Sequence, residues 1–338
     1  MHYVENNVDR KQHLQCWIEE QLKRAPLPLE AASADASFRR YFRVNCDGRT
    51  LIAMDAPPAH EDCRPFVKVA GLMAEAGLNV PEVVATDFER GFLLLSDLGT
   101  TSYLQALNAD SANHLFADAT DALIRWQLAS KPGVLPPYDD ALLRRELELF
   151  PEWYVQRHRG LTLSAAQRRM LDGVFDAVIQ SNLAQPAVYV HRDYMPRNLM
   201  VCAPNPGVLD FQDAVYGPIT YDVASLFKDA FISWDEERVL DWTVRYWEKA
   251  KRAGLPVATD FGAFYRDFEW MGLQRHLKVL GIFARLHYRD GKSGYLDDTP
   301  RFITYVRAVA ARYSILGPLL ALLDQIEGKA GASIGYTF

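Results

Sequence analysis

The sequence has little cysteine and none of it is paired: Cys16, Cys46, Cys63 and Cys202 are scattered, with no CxxC spacing. That pattern excludes a disulfide frame and a cysteine-rich zinc site and fits reduced thiols. No apolar run approaches the roughly 20 residues of a transmembrane helix. The opening residues, MHYVENNVDRKQH, are polar and carry no signal-peptide apolar core. Basic charge is not in excess either, with 37 Lys and Arg against 43 Asp and Glu, a net charge of −6. That balance argues against non-specific binding to nucleic acid or to an anionic membrane surface. No internal repeat or low-complexity tract interrupts the chain. What is left is an ordinary globular composition, 49% hydrophobic and 24% charged over 338 residues, enough for one large domain or two smaller ones. The expectation is a cytoplasmic protein with no nucleic-acid, membrane or obligate protein partner.

One stretch organises the rest. Residues 188–213 read VYVHRDYMPRNLMVCAPNPGVLDFQD. A short apolar run ends in His191-Arg192-Asp193, Asn198 follows, and a second apolar run leads into a turn at Pro204-Asn205-Pro206-Gly207. Val208-Leu209 then brings in Asp210-Phe211. The pattern is a loop bearing an aspartate and an asparagine, a β-hairpin, and an aspartate at the hairpin's end. Phosphoryl transfer needs this set: a carboxylate to take the proton of the attacking hydroxyl, and an amide oxygen with a second carboxylate to hold Mg²⁺ against nucleotide phosphates. Asp193 is the candidate base, and Asn198 and Asp210 are the candidate metal ligands. The other reading is a structural loop whose Asp and Asn satisfy turn backbone.

Along the chain, residues 10–25 place Leu14, Trp17, Ile18 and Leu22 on one helical face, with Pro26 and Pro28 to end the helix. Strands are expected at 29–33, 38–45 and 50–55, the last two joined by a turn at Asp47-Gly48. A helix over 66–76 is capped by Gly77, and a hairpin pairs 82–87 with 92–96. Helical spacing then dominates at 111–130, 139–157, 164–181, 236–253, 261–289, 301–313 and 318–326. The fold class is α+β, with an N-terminal antiparallel five-stranded sheet lobe over 1–98 and a larger helical lobe over 99–338. Asp97-Leu98-Gly99 would be the hinge.

His191-Arg192-Asp193 through Asn198 is similar to the catalytic loop of protein kinases at every defined position, and Asp210-Phe211 to their metal-binding Asp-Phe-Gly, with Gln212 in place of the glycine. The order of three strands, one helix and two strands also resembles the small lobe of that fold. No activation segment follows Asp210. The chain instead continues through Asp213-Ala214, Gly217-Pro218 and Asp222-Val223-Ala224, as in the aminoglycoside-phosphotransferase and choline-kinase branch of the fold. Within it, residues 35–42 (DASFRRYF), 54–58 (MDAPP), 191–198 (HRDYMPRN) and 274–281 (QRHLKVLG) resemble the anomeric sugar kinases that act on N-acetylmuramate and N-acetylglucosamine in cell-wall recycling.

That resemblance implies ATP and Mg²⁺ as cofactors and a sugar phosphorylated at its C1 hydroxyl. Three departures stand out. The phosphate loop, residues 33–37, has no glycine, and Ser37 is its candidate contact. The third strand has no lysine, so Arg40 or Arg43 would meet the nucleotide phosphates or else lie on a solvated strand face; Ser96 and Leu98 complete the nucleotide candidates. Protein kinases place a lysine two residues after the catalytic Asp, where this chain has Met195 and only Arg197 nearby to supply charge. Among supporting residues, His191 reads as a packed core residue. Asp222 is expected to accept hydrogen bonds from the loop backbone and to cap the next helix. Asp213 is either a sugar contact or a turn residue. Arg275, on a helix with His276, Lys278, Arg285, Arg289 and Lys292, suits a neutral or anionic acceptor, unless these charges are a solvent-facing stripe. Trp153 and Trp270 could stack on a sugar ring, or be core. The alternatives to a sugar kinase are a kinase of an aminoglycoside or amino alcohol, and a nucleotide-binding pseudokinase.

Overall fold

Leu14, Trp17 and Ile18 recur at helical spacing, and they bury one face of α1 (Asn7–Leu22) against the first sheet. A computed structural model of the chain describes residues 7–24, 28–34 and 38–328. Ser37, the rest of the phosphate loop at 35–36, and the helix end expected at Ala25-Pro26 lie outside the described residues. By packing, the chain divides into two units, Met1–Trp126 with Arg197–Asp213, and Gln127–Pro196 with Ala214–Phe338. The expected boundary between sheet lobe and helical lobe lies at 98/99; packing places 99–126 with the first unit. Among the described residues no helix is long and apolar enough to cross a membrane.

The first unit is built on five antiparallel strands, β1 (Glu30–Ala34), β2 (Arg40–Cys46), β3 (Arg49–Asp55), β4 (Val83–Asp87) and β5 (Phe92–Ser96), in the order β1-β2-β3-β5-β4. Alternation decides the faces. Phe42, Val44, Leu51, Ala53, Phe92 and Leu94 point to α1 and form its core, the larger side chains each worth about 1.5–3 kcal/mol when fully buried. The β2–β3 turn is tight because Asp47 and Gly48 both take positive φ, 51° and 82°, which suits the twist of a hairpin. Helix α2 (Arg64–Glu75) ends at Gly77, whose φ of 76° lets its N–H reach back to the Ala74 carbonyl. Two further helices, α3 (Tyr103–Ala106) and α4 (Ala112–Leu128), complete the segment before the second unit.

The second unit is helical: α5 (Asp140–Leu147), α6 (Ala165–Leu183), α7 (Tyr221–Phe227), α8 (Glu236–Arg252), α9 (Phe261–Asp290), α10 (Thr299–Arg312) and α11 (Gly317–Ile326). Starts follow their caps, with Ser164 and Gln167 forming a capping box on α6, and Asp235 and Asp260 accepting first-turn N–H groups on α8 and α9. The single helix expected over 139–157 is instead broken into α5 and a π-helical stretch, Phe150–His158. Pro151 has no N–H to give, so the ladder there slips to wider spacing, as in the bond from Arg159 N–H to the Tyr154 carbonyl. Helix α9 runs through the middle of this unit and is buried along most of its length.

Candidate active site

The loop bearing Asp193 is set by two short strands. Ala187–Val190 pairs antiparallel with Val215–Pro218, and the chain then turns sharply through Arg192, whose φ is 76°. A bulky residue in this left-handed region costs on the order of 1 kcal/mol. The turn is held by Asp222, fully buried in the first turn of α7. Its carboxylate accepts the N–H of His191 at 2.7 Å and of Arg192 at 3.0 Å. Burial pushes the Asp222 carboxyl up to about 7, against the pull of those two N–H groups. The support expected of Asp222 is therefore present, but the helix-capping role is not. Both of its oxygens go to the loop, and α7 has Thr220 at its N-cap with no side-chain cap. His191 is buried as expected, its Nδ1 accepting the Asp193 N–H at 3.2 Å and its ring edge-on to Tyr194.

A buried charge cluster lies beside this loop. The Arg192 guanidinium donates to Glu146 Oε1 at 2.5 Å and lies 5.7 Å from the centre of the Tyr138 ring. Glu146, on α5, also takes the Lys278 ammonium at 2.9 Å, the Gln274 amide at 3.0 Å and the Tyr138 hydroxyl. Lys278 donates as well to the Tyr221 hydroxyl at 3.0 Å. Burial alone would raise Glu146, but Lys278 and Arg192 bring it down to about 2. Lys278 is raised in turn: burial opposes its charge, while Glu146, Tyr221 and Asp193 favour it.

Asn198 and Asp210 belong to the other unit, and there the hairpin brings them together. Leu199 pairs with Val208, and the Leu209 N–H donates to the Asn198 carbonyl at 2.9 Å. The chain then takes a positive φ of 61° at Asp210, and the Asn198 amide reaches Asp210 Oδ2 at 3.3 Å. Gln212, standing where the motif has glycine, donates to Asp210 Oδ1 at 2.9 Å. Phe211 is buried against Phe66 of α2, ring centres 4.7 Å apart, which anchors the segment. Among the described residues no three His, Cys, Asp or Glu side chains converge on one metal position. The chain thus offers one carboxylate and one amide oxygen, a hard-oxygen pair that fits Mg²⁺ completed by phosphate and water.

The remaining candidates divide. Arg40 lies on the α1 face, at the register position opposite Asp55. Asp55, fully buried at the end of β3, binds the Arg40 guanidinium on one oxygen and that of Arg10 from α1 on the other, at 3.1 and 2.5 Å. Arg43 points to the opposite face and grips Asp97 at 2.6 and 3.1 Å and the Gly99 carbonyl at 3.0 Å. Burial would raise Asp97, but Arg43 holds it below the usual carboxylate range. Neither arginine lies on a solvated strand face; each is tied to a carboxylate. Ser96 accepts the Glu82 N–H at 2.8 Å, closing the β4–β5 pair, and Leu98 packs against Gly207.

In the second unit Trp270 and Arg275 are each 2% exposed. Trp270 meets Tyr313 edge-on, and Arg275 approaches the Lys228 carbonyl. Both are core residues of α9, so the stacking and acceptor roles expected of them give way to packing. The same holds for His276 and Lys278, which are buried, so that this half of the basic set makes internal contacts, whereas Arg289 is exposed and Arg285 and Lys292 are partly so. Burial keeps His276 neutral by pushing its pKa well below the usual value. Trp153 is half-buried against this core, with Arg157 over its ring. Arg197 and Asp213 are exposed, Asp213 near the Gln212 amide. Sequence reasoning missed Glu146, Gln274 and Tyr138 entirely. The one available signal was the i, i+4 spacing of Gln274 and Lys278, which gives two polar groups one helical face.

Residues 28–258 match the family described as "Phosphotransferase enzyme family". The chain is 54% identical to an N-acetylmuramate/N-acetylglucosamine kinase of Pseudomonas putida, across 96% of this chain and 98% of that one. It is 48% identical to a protein of the same name from Neisseria meningitidis serogroup B, across 98% and 100%. Among solved structures it is similar to a thermostable mutant of an aminoglycoside phosphotransferase in ternary complex with AMP-PNP and hygromycin B. That likeness has a TM-score of 0.58 at 15% identity and spans 87% of this chain and 97% of that one. At that identity it speaks to the fold, which is protein-kinase-like.

Proposed function

The chain belongs to the phosphotransferase enzyme family, and on that premise we propose that it is an ATP- and Mg²⁺-dependent sugar kinase. Its acceptors are N-acetylmuramate and N-acetylglucosamine, its product is the sugar 1-phosphate, and its place is the cytoplasm, in peptidoglycan recycling. The observation that carries this reading is near-full-length identity of about half to kinases named for these two sugars, in a chain that keeps Asp193, Asn198 and Asp210.

In the reaction, the sugar's C1 oxygen forms a bond to the γ-phosphorus while the bond from that phosphorus to the bridging oxygen breaks and ADP leaves. The hydroxyl proton passes to Asp193, and the anomeric hydroxyl, more acidic than an ordinary alcohol, gives it up readily. Asp210 and Asn198 would hold Mg²⁺, which when bound neutralises charge on the phosphate oxygens. The chain's own contribution is to aim the base, through the Asp222 anchor and the left-handed turn at Arg192. ADP release with each sugar tests the reading, and Asp193→Asn should slow it by roughly 10²- to 10⁴-fold. One finding favours the pseudokinase alternative, the engagement of Arg40 and Arg43 with carboxylates in a chain that lacks the strand lysine. Nucleotide binding without ADP release would decide for it.

A further inference from the structure

The buried cluster behind the catalytic loop contains more positive than negative charge. Glu146 faces both Arg192 and Lys278, at 2.5 and 2.9 Å. Lys278 is thereby joined through Glu146 to Arg192, the residue immediately before Asp193, and Asp193 is the smallest of the contributions that favour its charged form. In the protein-kinase pattern a lysine follows the catalytic Asp by two residues, and this chain has Met195 there. Arg197, the nearer substitute in sequence, is exposed. Lys278 is 8% exposed, on the long buried helix α9, and has its position fixed by Glu146 and by the Tyr221 hydroxyl at 3.0 Å.

We propose that Lys278 and Glu146 are positioning residues for the base, with Lys278 supplying from α9 the cationic charge that the loop lacks at Met195. Glu146 does two things at once. It clamps the Arg192 side chain, which with the two bonds to Asp222 holds the left-handed turn immediately before Asp193. It also keeps Lys278 buried and charged beside that loop. Gln274, one turn before Lys278 on the same helix, donates to the other Glu146 oxygen at 3.0 Å, so each carboxylate oxygen is fixed from α9 and from outside it. Charges leaving water together are tolerated only where hydrogen bonds offset the loss. Here both Glu146 oxygens and the Lys278 ammonium are hydrogen-bonded, which is why the cluster can hold a loop rigid.

This inference rests on the kinase reading for its activity arm. Lys278→Met keeps the side chain's length and volume and removes its charge. The expected result is a fall in kcat on the order of 10- to 100-fold with both KM values little changed, as for misplacement of a catalytic group, and partial recovery in Lys278→Arg. On an Asp193→Asn background the same change should cost almost nothing further, because its effect passes through Asp193. A second arm needs no substrate. In Lys278→Met and in Glu146→Gln, backbone amides of residues 191–195 should exchange with solvent on the order of tenfold faster, with β2 and β3 unaffected. An unchanged kcat, a loss of the same size on both backgrounds, or undiminished protection of 191–195 would overturn the proposal. Failure of the kinase reading itself would show as wild-type inactivity on both sugars, and the exchange arm would still decide the positioning role.

Discussion

Asp193 carries the chemistry we assign, and the most economical change at that residue is one oxygen for one NH₂ group. Asp193→Asn keeps the shape of the loop and removes the proton acceptor, so kcat should fall by roughly 10²- to 10⁴-fold while the melting temperature stays near wild type; steady-state kinetics and a thermal scan check both. The cysteines give a second prediction. Cys63 is buried and its thiol is pushed up to about 11, chiefly by burial, whereas Cys16 is exposed. Because the thiolate is the reactive form, a thiol reagent at neutral pH should label Cys16 rapidly and leave Cys63 intact until the protein is unfolded, which mass spectrometry of the labelled peptides would read. Asp193, Asn198 and Asp210 were legible in the sequence because the motif is local, a loop and a hairpin within 26 residues. Glu146 was not, because its partners include Gln274, 128 residues away, and Lys278 beyond it, and nothing in a linear pattern tells a buried ionised glutamate from a surface one.

At the level of elements, α9 shows what spacing reveals and what it hides. Its extent, expected over 261–289 and found at Phe261–Asp290, could be read from the sequence, but the burial of Arg275, His276 and Lys278 could not. Charged residues at helical spacing are normally solvated, and only the elements packed around α9 reverse that expectation. Pro151 falls inside the single helix expected over 139–157, an expectation that takes no account of a break there, and the structure continues at that point as a π-helix. One close approach in this region is testable. A Cβ placed on Gly281 of α9 would lie 2.3 Å from the backbone carbon of Leu149, at the junction between α5 and the π-helical stretch. The helix passes there backbone against backbone, and Gly281→Ala must push the two apart. We expect it to destabilise the protein by about 1–3 kcal/mol despite alanine's better helix propensity, as measured by urea denaturation.

For the molecule as a whole, Glu146 links stability to acidity. Its ordinary pKa of 4.5 drops to about 2 in the folded chain, where burial is outweighed by Lys278 and Arg192. Between those values the unfolded chain binds more protons than the folded one, so this contribution is complete above about pH 4.5 and is lost as pH falls through about 2. Urea midpoints measured between about pH 6 and pH 3 should decline, and the decline should be shallower in Glu146→Gln. The choice of sugar is a property of the whole chain as well. The fold admits several acceptors, the basic-helix argument for an anionic one weakened when Arg275, His276 and Lys278 proved to be buried, and near-full-length identity to kinases named for two amino sugars now carries the assignment. The direct test is ³¹P and ¹H NMR of the product made by the purified protein from MgATP and N-acetylmuramate. We predict a phosphate coupled to the anomeric proton, formed in step with ADP, and formed roughly 10²- to 10⁴-fold more slowly by Asp193→Asn. ATP left intact by the wild-type protein, or a phosphate carried at any other carbon, would contradict the account.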